Sequence, residues 1–261
     1  MIDTNALLTY YPAAIAENKS LHKHVLKEYV ELLALEHLSQ SPYADRLVFI
    51  GGTCLRLVYG IDRFSEDLDF DCKNLSHDEF IDMTDDLVRY LGANGMQVET
   101  RDAGGAKLVA YRRNIYFPEL LFHLHLTGHK EERFLMKVEA QDQGVPYRPT
   151  TAVVSRNGFL FPITVPPKEV LLSMKLSALL ARAKGRDFYD TVFLWQQAEP
   201  DFHFLLQRCG IGNMEELCKA LEKKLETINL ADKQRDFEHL LLASSRKINI
   251  AYFKEFVRSK L

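Results

Sequence analysis

The stretch FIGGTCLRLVYGIDRFSEDLDFD runs from Phe49 to Asp71 and joins three local signals. RLVFI (46–50) is a short apolar strand that ends at Gly51-Gly52. TCLRLVYG (53–60) predicts a brief helix stopped by Gly60. DLDFD then alternates acid and apolar, the period of a strand with two different faces. Asp67, Asp69 and Asp71 share one face, and Leu68 and Phe70 share the other, expected to point into a core. Three acids alone would be the solvated face of an edge strand, where charge also discourages aggregation. A divalent cation changes that balance, because close carboxylates repel one another but supply the hard oxygen ligands that Mg²⁺ takes. A pair of such ions about 3.5–4 Å apart clamps an in-line displacement at phosphorus.

The glycines supply a second component. A Gly-Gly-Thr turn running into a helix presents backbone N–H groups and the positive helix end, a physical basis for holding an anion. Between the two features, Arg63 offers a fork of donors and Ser65 a hydroxyl, both suited to phosphate and both equally at home in a turn. A phosphate cradle next to a metal platform describes a nucleotide site better than either feature does alone.

Outward from this stretch, the first half reads as mixed α and β. Helices are expected over SLHKHVLKEYVELLALEHL (20–38), with Ser20 as its cap, and HDEFIDMTDDLVRYL (77–91). Strands are expected at MQVETR, KLVAYRR, ELLFHLHLT and RFLMKVEAQ. FPITVPPKEV (161–170) changes the texture: Pro162, Pro166 and Pro167 break regular structure, and Pro166-Pro167 can open a helix. Everything beyond favours helix. Repeats and low-complexity segments are lacking.

Composition bounds the classes. The chain has 261 residues, 47% hydrophobic and 26% charged, which is a globular balance. A net charge of -3 gives no global basic field for nucleic acid, although a local patch remains open. The N-terminal sequence lacks a signal pattern and no apolar run has membrane-spanning length, so a cytoplasmic location without membrane partners is expected. Cys54, Cys72, Cys209 and Cys218 form no CxxC pair, so reduced thiols are expected and zinc is not.

The order apolar–Gly–Gly, fourteen residues, then Asp67-Leu68-Asp69-Phe70 resembles the signature of the polymerase-beta-type nucleotidyltransferase superfamily. More narrowly, GGTCLRLVYGIDRFSEDLDF resembles the AbiEii/AbiGii toxin family. A second stretch, KLSALLARAKGRDFYD (175–190), resembles that family's other hallmark at Lys175, Ala178, Arg182, Arg186, Asp187 and Asp190. Lys175 and Arg182 are seven apart and so share a helix face. Read by itself, Lys175 is a solvated helix lysine, and Asp187 and Asp190 are acids at a helix start. Gly185 would allow the turn between the two helices.

The resemblance implies an α+β fold: a nucleotidyltransferase-type mixed sheet with flanking helices over 1–165, then a helical bundle over 166–261. It implies transfer of NMP from an NTP to an acceptor hydroxyl, with Mg²⁺ or Mn²⁺ at Asp67, Asp69 and Glu139. Glu139 stands where the superfamily more often has aspartate. Gly51, Gly52, Thr53, Arg63, Ser65, Arg182 and Asp187 would bind the nucleotide, and Lys175 would neutralise the triphosphate as pyrophosphate leaves. It further implies a toxin of a type IV toxin–antitoxin or phage-defence pair, with a cognate antitoxin. Some relatives add nucleotides to the acceptor end of tRNA, so tRNA or another RNA is one acceptor class.

Two alternatives stand beside this reading. One is a nucleotide-binding regulatory module without catalysis. The other is a small-molecule nucleotidyltransferase of the antibiotic-modifying kind. An acidic acceptor cleft would favour the small molecule; a basic one built from Arg112, Arg113, Arg182 and Arg186 would favour RNA. His123, His125 and His129 are weaker metal candidates, more often packing or surface residues, and GGAK (104–107), which resembles a phosphate loop only superficially, is expected to close a hairpin.

Overall fold

The computed structural model describes residues 2–102, 110–242 and 248–260. The chain divides into two compact units. The first comprises 1–60, 64–143 and 151–165, and the second comprises 61–63, 144–150 and 166–261.

The first unit begins with two short helices, α1 (Thr4–Leu8) and α2 (Ala13–Ala16). Then follow α3 (His22–Ser39), β1 (Leu47–Ile50), α4 (Gly51–Leu57), β2 (Asp67–Cys72) and α5 (His77–Ala93). β3 (Glu99–Asp102), β4 (Tyr111–Tyr116), α6 (Leu120–His123) and β5 (Leu135–Gln141) complete the sheet region. A hairpin of β6 (Thr150–Arg156) and β7 (Phe159–Val165) ends it.

Five strands form one sheet in the order β1-β2-β5-β4-β3. β2 and β5 run parallel and the other neighbours antiparallel. A parallel pair needs a long crossover, and here the chain between β2 and β5 carries α5, β3 and β4. One face of the sheet is apolar: Leu68, Phe70, Ile115, Met136 and Val138 are all buried. Against it lies α5, which is opened by a capping box in which Ser76 and Glu79 satisfy each other's backbone N–H groups. Phe80 of α5 meets Tyr111 of β4, with ring centroids 5.6 Å apart. The other face carries Asp67 and Asp69.

Several expectations need correction. α3 is preceded by a 3₁₀ turn at Lys19–Leu21 capped by Asn18, whose Oδ1 accepts from the Ser20 amide and hydroxyl; Ser20 is therefore not the cap. ELLFHLHLT is not a strand. Glu119 adopts a left-handed φ of 55°, which turns the chain into α6, and His125 is again left-handed at 56°. Local alternation of Leu and His gave a strand period, but that chain reversal prevents pairing. KLVAYRR falls partly outside the described residues, as does all of GGAK; the described strand there is Tyr111–Tyr116. The β6–β7 hairpin escapes the sequence reading, and Pro162 sits inside β7. Among the described residues β7 forms a ladder with β6 alone, which leaves its other side without one, the setting where a strand tolerates proline.

The second unit is helical, with no strand longer than a single bridge among the described residues. It contains α7 (Lys168–Arg182), α8 (Gly185–Trp195), α9 (Phe202–Cys209), α10 (Met214–Leu225), α11 (Leu230–Arg235) and α12 (Phe253–Arg258). Pro167 stands at the N-cap of α7. Aromatic pairs fill its core: Phe188 with Phe253 at 5.0 Å, Tyr189 with Phe237 at 5.4 Å and Trp195 with Phe256 at 5.8 Å. The α7–α8 turn is made by Ala183, at a left-handed φ of 48°. Gly185 serves a different purpose from the one expected: a Cβ there would fall 1.9 Å from the Lys233 carbonyl oxygen, so its bareness admits the backbone of α11.

Candidate active site

The acid strip is assembled by sheet register. In the parallel β2–β5 pair, Asp67 lies opposite Lys137 and Asp69 opposite Glu139. In the antiparallel β4–β5 pair, Arg112 lies opposite Glu139 and Asn114 opposite Lys137. Residues directly opposite across a ladder project to the same face. One face of three strands therefore presents Asp67 and Asp69, then Lys137 and Glu139, then Arg112 and Asn114.

The glycine turn meets this strip at Asp69. Ile50 is registered opposite Asp69, so the chain leaves β1 at that carboxylate and enters α4. Gly51 has a φ of 80°, and a Cβ there would lie 2.2 Å from Asp69 Oδ2. Bare backbone at residue 51 is what gives the Asp69 carboxylate its place. Thr53 locks the same corner, since its hydroxyl donates to the Asp67 carbonyl at 2.6 Å. That hydroxyl is committed within the protein, so a phosphate would meet only the Thr53 backbone. Ser65 is buried at the approach to β2.

Charge on the strip is internally paired. The Lys137 ammonium sits 3.3 Å from Asp67 Oδ1. The Arg112 Nε approaches Glu139 Oε1 at 2.8 Å but off the hydrogen-bonding angle, and Nη2 donates to Oε2 at 3.2 Å. Asp67 thus has a basic neighbour that strand β2 alone does not reveal. Among the described residues, no three His, Cys, Asp or Glu side chains already converge as a metal cage. The donor chemistry nevertheless fits a divalent cation: hard carboxylate oxygens on adjacent positions of one face, with Gly51 leaving room beside one of them.

Asp71 lies on the same strand face but is fully buried and accepts from the Gln143 amide at 2.9 Å. Arg113 projects to the apolar face and pairs with Asp85 of α5 at 2.5 Å, so it is not part of a basic cleft with Arg112. Within electrostatic reach of Asp67, Glu31 of α3 is buried, and its Oε1 has no hydrogen-bond partner. Burial pushes its carboxyl well above the usual range; Glu28, Asp67 and Glu66 add to this, against the opposing Lys27. Only three-dimensional placement reveals Lys137 and Glu31 as neighbours of the strip, although Lys137 shares the alternation of RFLMKVEAQ.

The second motif assembles inside the helical unit. Asp190 is fully buried and accepts from Arg63 through Nε and Nη2, both at 2.7 Å, while the Lys175 ammonium approaches it at 2.7 Å. Burial alone would raise the Asp190 carboxyl, but the Arg63 guanidinium and the Lys175 ammonium outweigh it and hold the group at about 2. Lys175 is accordingly not a solvated lysine; it is buried and ion-paired. Arg63 is fully buried with its fork turned to Asp190. Arg182 makes a two-point contact with Asp187, at 3.0 and 2.9 Å, and Asp187 also accepts from the Lys184 amide. Asp187 thereby ties down the start of α8. His123, on α6, lies 3.6 Å from Glu119.

A sheet of this order, with paired aspartates on one face beside a glycine turn, defines a nucleotidyltransferase, the class that the family match carries. Residues 33–255 match the family described as nucleotidyl transferase AbiEii toxin, type IV toxin–antitoxin system, and the chain belongs to that family. Among solved structures, it resembles MenT4, a nucleotidyltransferase toxin from Mycobacterium tuberculosis. The identity is 18% and the TM-score 0.63, covering 100% of this chain and 88% of that one. JHP933 from Helicobacter pylori is similar at 20% identity and a TM-score of 0.56, covering 91% of each chain. Both likenesses are of fold. No curated protein sequence matches the chain. No helix among the described residues is long and apolar enough to cross a membrane.

Proposed function

We propose that this nucleotidyltransferase toxin transfers NMP from an NTP to an acceptor hydroxyl on RNA, with the acceptor end of tRNA as the first candidate, and that a cognate antitoxin restrains it in the cytoplasm. The observation that carries the reading is the register that puts Asp67, Asp69 and Glu139 on one sheet face, with Gly51 bare beside Asp69.

In this reading Asp67 and Asp69 would hold Mg²⁺ or Mn²⁺, with Glu139, now paired with Arg112, as the third carboxylate. The bound cation supplies Lewis-acid stabilisation of charge at the α-phosphate. The chain's own groups do the rest. The backbone at Gly51, Gly52 and Thr53 and the Ser65 hydroxyl orient the donor's phosphates. Thr53 keeps β2 in place through the Asp67 carbonyl. The family resemblance assigns Lys175 to the charge that builds on departing pyrophosphate, and Asp190 fixes the direction of its ammonium. Arg63, Arg182 and Asp187 enter as supports: their charges are already paired inside the protein. The acceptor oxygen forms a bond to the α-phosphorus, the α–β bridging P–O bond breaks, pyrophosphate leaves and the acceptor proton passes to solvent.

One feature favours a second reading. A cavity of about 270 Å³ is lined by Glu99, Tyr116, Glu119, Glu131 and Glu132 together with Lys130 and Arg133, and Glu119 is already paired with Lys130. Tyr116 is registered opposite Leu135, one step along the polar face from Lys137. The cavity's glutamates outnumber its basic residues, which suits a cationic small-molecule acceptor better than RNA.

The test incubates the protein with each labelled NTP, with total cellular RNA or with a polycationic aminoglycoside, and with Asp69→Asn as control. Label on RNA that the control lacks supports the proposal. Label on the aminoglycoside alone moves the assignment to the second reading, and label on neither acceptor overturns both.

A further inference from the structure

We propose that Lys137 is a donor-binding residue of this site, held on Asp67 as a built-in counterion until a divalent cation displaces it, and then available to the triphosphate. The inference rests on the reading of Asp67 and Asp69 as a metal platform.

Three observations support it. First, Lys137 is placed by register, directly opposite Asp67 on a parallel neighbour strand, so its Cα cannot drift away from the strip. Second, the contact is loose. The ammonium stands 3.3 Å from Oδ1, and the Lys137 side chain is 38% exposed, so it retains room to swing. A partly exposed pair with a contact this long contributes little to stability, so structural support alone does not account for the placement. Third, a cation bound at Oδ1 of Asp67 and the ammonium compete for the same oxygen. Displaced, the lysine stem still reaches the space above β2 and β5, where phosphates held by that cation would lie. Arg112 repeats the arrangement on Glu139, again with imperfect geometry. The strip thus carries two internal positive charges that offset its carboxylates before substrate arrives.

The consequence is a pair of opposite effects. Removing the Lys137 charge should help the metal and harm the nucleotide. Calorimetry on the full chain, first with Mn²⁺ alone and then with a non-hydrolysable triphosphate at saturating Mn²⁺, reads both. Lys137→Met keeps the apolar stem and removes the charge. It is expected to tighten Mn²⁺ binding about threefold to tenfold, since a like charge a few ångströms away is removed in a solvated site. It should weaken the triphosphate analogue by about tenfold. Lys137→Arg, which keeps the charge, should return Mn²⁺ affinity to near the wild-type value. Lys219→Met, on α10 and paired with Glu215, should change neither. If Lys137→Met leaves both affinities unchanged, or weakens Mn²⁺, the role of Lys137 is wrong while the metal platform stands. If the wild-type chain and Asp69→Asn bind Mn²⁺ alike, the platform itself is wrong and this inference falls with it.

Discussion

Gly51 is the position where the smallest change should do the most damage. A Cβ built on residue 51 lies 2.2 Å from Asp69 Oδ2 and 2.9 Å from its Cβ and Cγ, whereas ordinary contact begins at 3.4 Å. In Gly51→Ala the carboxylate must therefore retreat by about 1.2 Å, the difference between 3.4 and 2.2. Residue 51 also holds a φ of 80°, and left-handed backbone costs an alanine roughly 1–2 kcal/mol. For a chain of this size that cost lowers Tm by about 2–8 °C. The functional loss should be larger, because misplacing a reacting group by about 1 Å costs on the order of a hundredfold in rate. Gly51→Asn separates the two terms: asparagine tolerates the left-handed region better but brings the same Cβ against Asp69. It should be more stable than the alanine variant and equally poor in transfer. Thermal unfolding and transfer of labelled NMP read the two quantities. An alanine variant with wild-type Tm and full transfer would refute the reasoning about both the backbone and the carboxylate.

Three further outcomes follow from buried groups. Asp190→Asn leaves Arg63 and Lys175 buried without their counter-charge, and denaturant unfolding should show a loss of about 3–5 kcal/mol. Because the wild-type carboxyl is depressed to about 2, its contribution is complete above its ordinary value of 3.8 and lost as pH falls towards 2, so the gap between the two proteins should close in that window. Glu31→Gln should act in the other direction: Glu31 is raised well above its ordinary 4.5, so wild-type stability declines as pH climbs past that value, and the glutamine variant should gain on it as pH rises above 4.5. A constant difference across that range would contradict the reading of Glu31 as a buried carboxyl with an unsatisfied Oε1. Thr53→Val, nearly isosteric, removes the 2.6 Å bond to the Asp67 carbonyl; it should cost about 1–2 kcal/mol and weaken Mn²⁺ binding, and unchanged values for both would show that the bond does not hold β2.

Much of the architecture was readable from local pattern because local pattern causes it. RLVFI, the Gly51-Gly52 turn and the acid–apolar alternation of 67–71 need no distant partner to define strand, turn and strand faces, and they appear as β1, α4 and β2. The Pro166-Pro167 pair opens α7, after which helical periodicity continues. Where the reading failed, long-range contact overrode period. The alternation in ELLFHLHLT found no partner strand and became α6 between left-handed residues. Pro162 was accommodated because, among the described residues, β7 has a ladder on one side only. The role of Gly185 was likewise hidden, since it depends on a carbonyl forty-eight positions along, at Lys233.

For the site, the sequence by itself determined which chemical groups exist and which face of each strand they take: Asp67 with Asp69, Lys137 with Glu139, Lys175 with Arg182. Strand period and helix pitch are properties of a few consecutive residues, so they are written locally. Tertiary structure alone decided which faces meet. Parallel pairing of β2 with β5 set Glu139 beside Asp69 and Lys137 beside Asp67, and a register shifted by one residue would have turned the β5 pair to the opposite side of the sheet. Burial decided the fate of the charges: it drew Lys175 and Arg63 onto Asp190, because an ion removed from water must find its counter-charge within the protein.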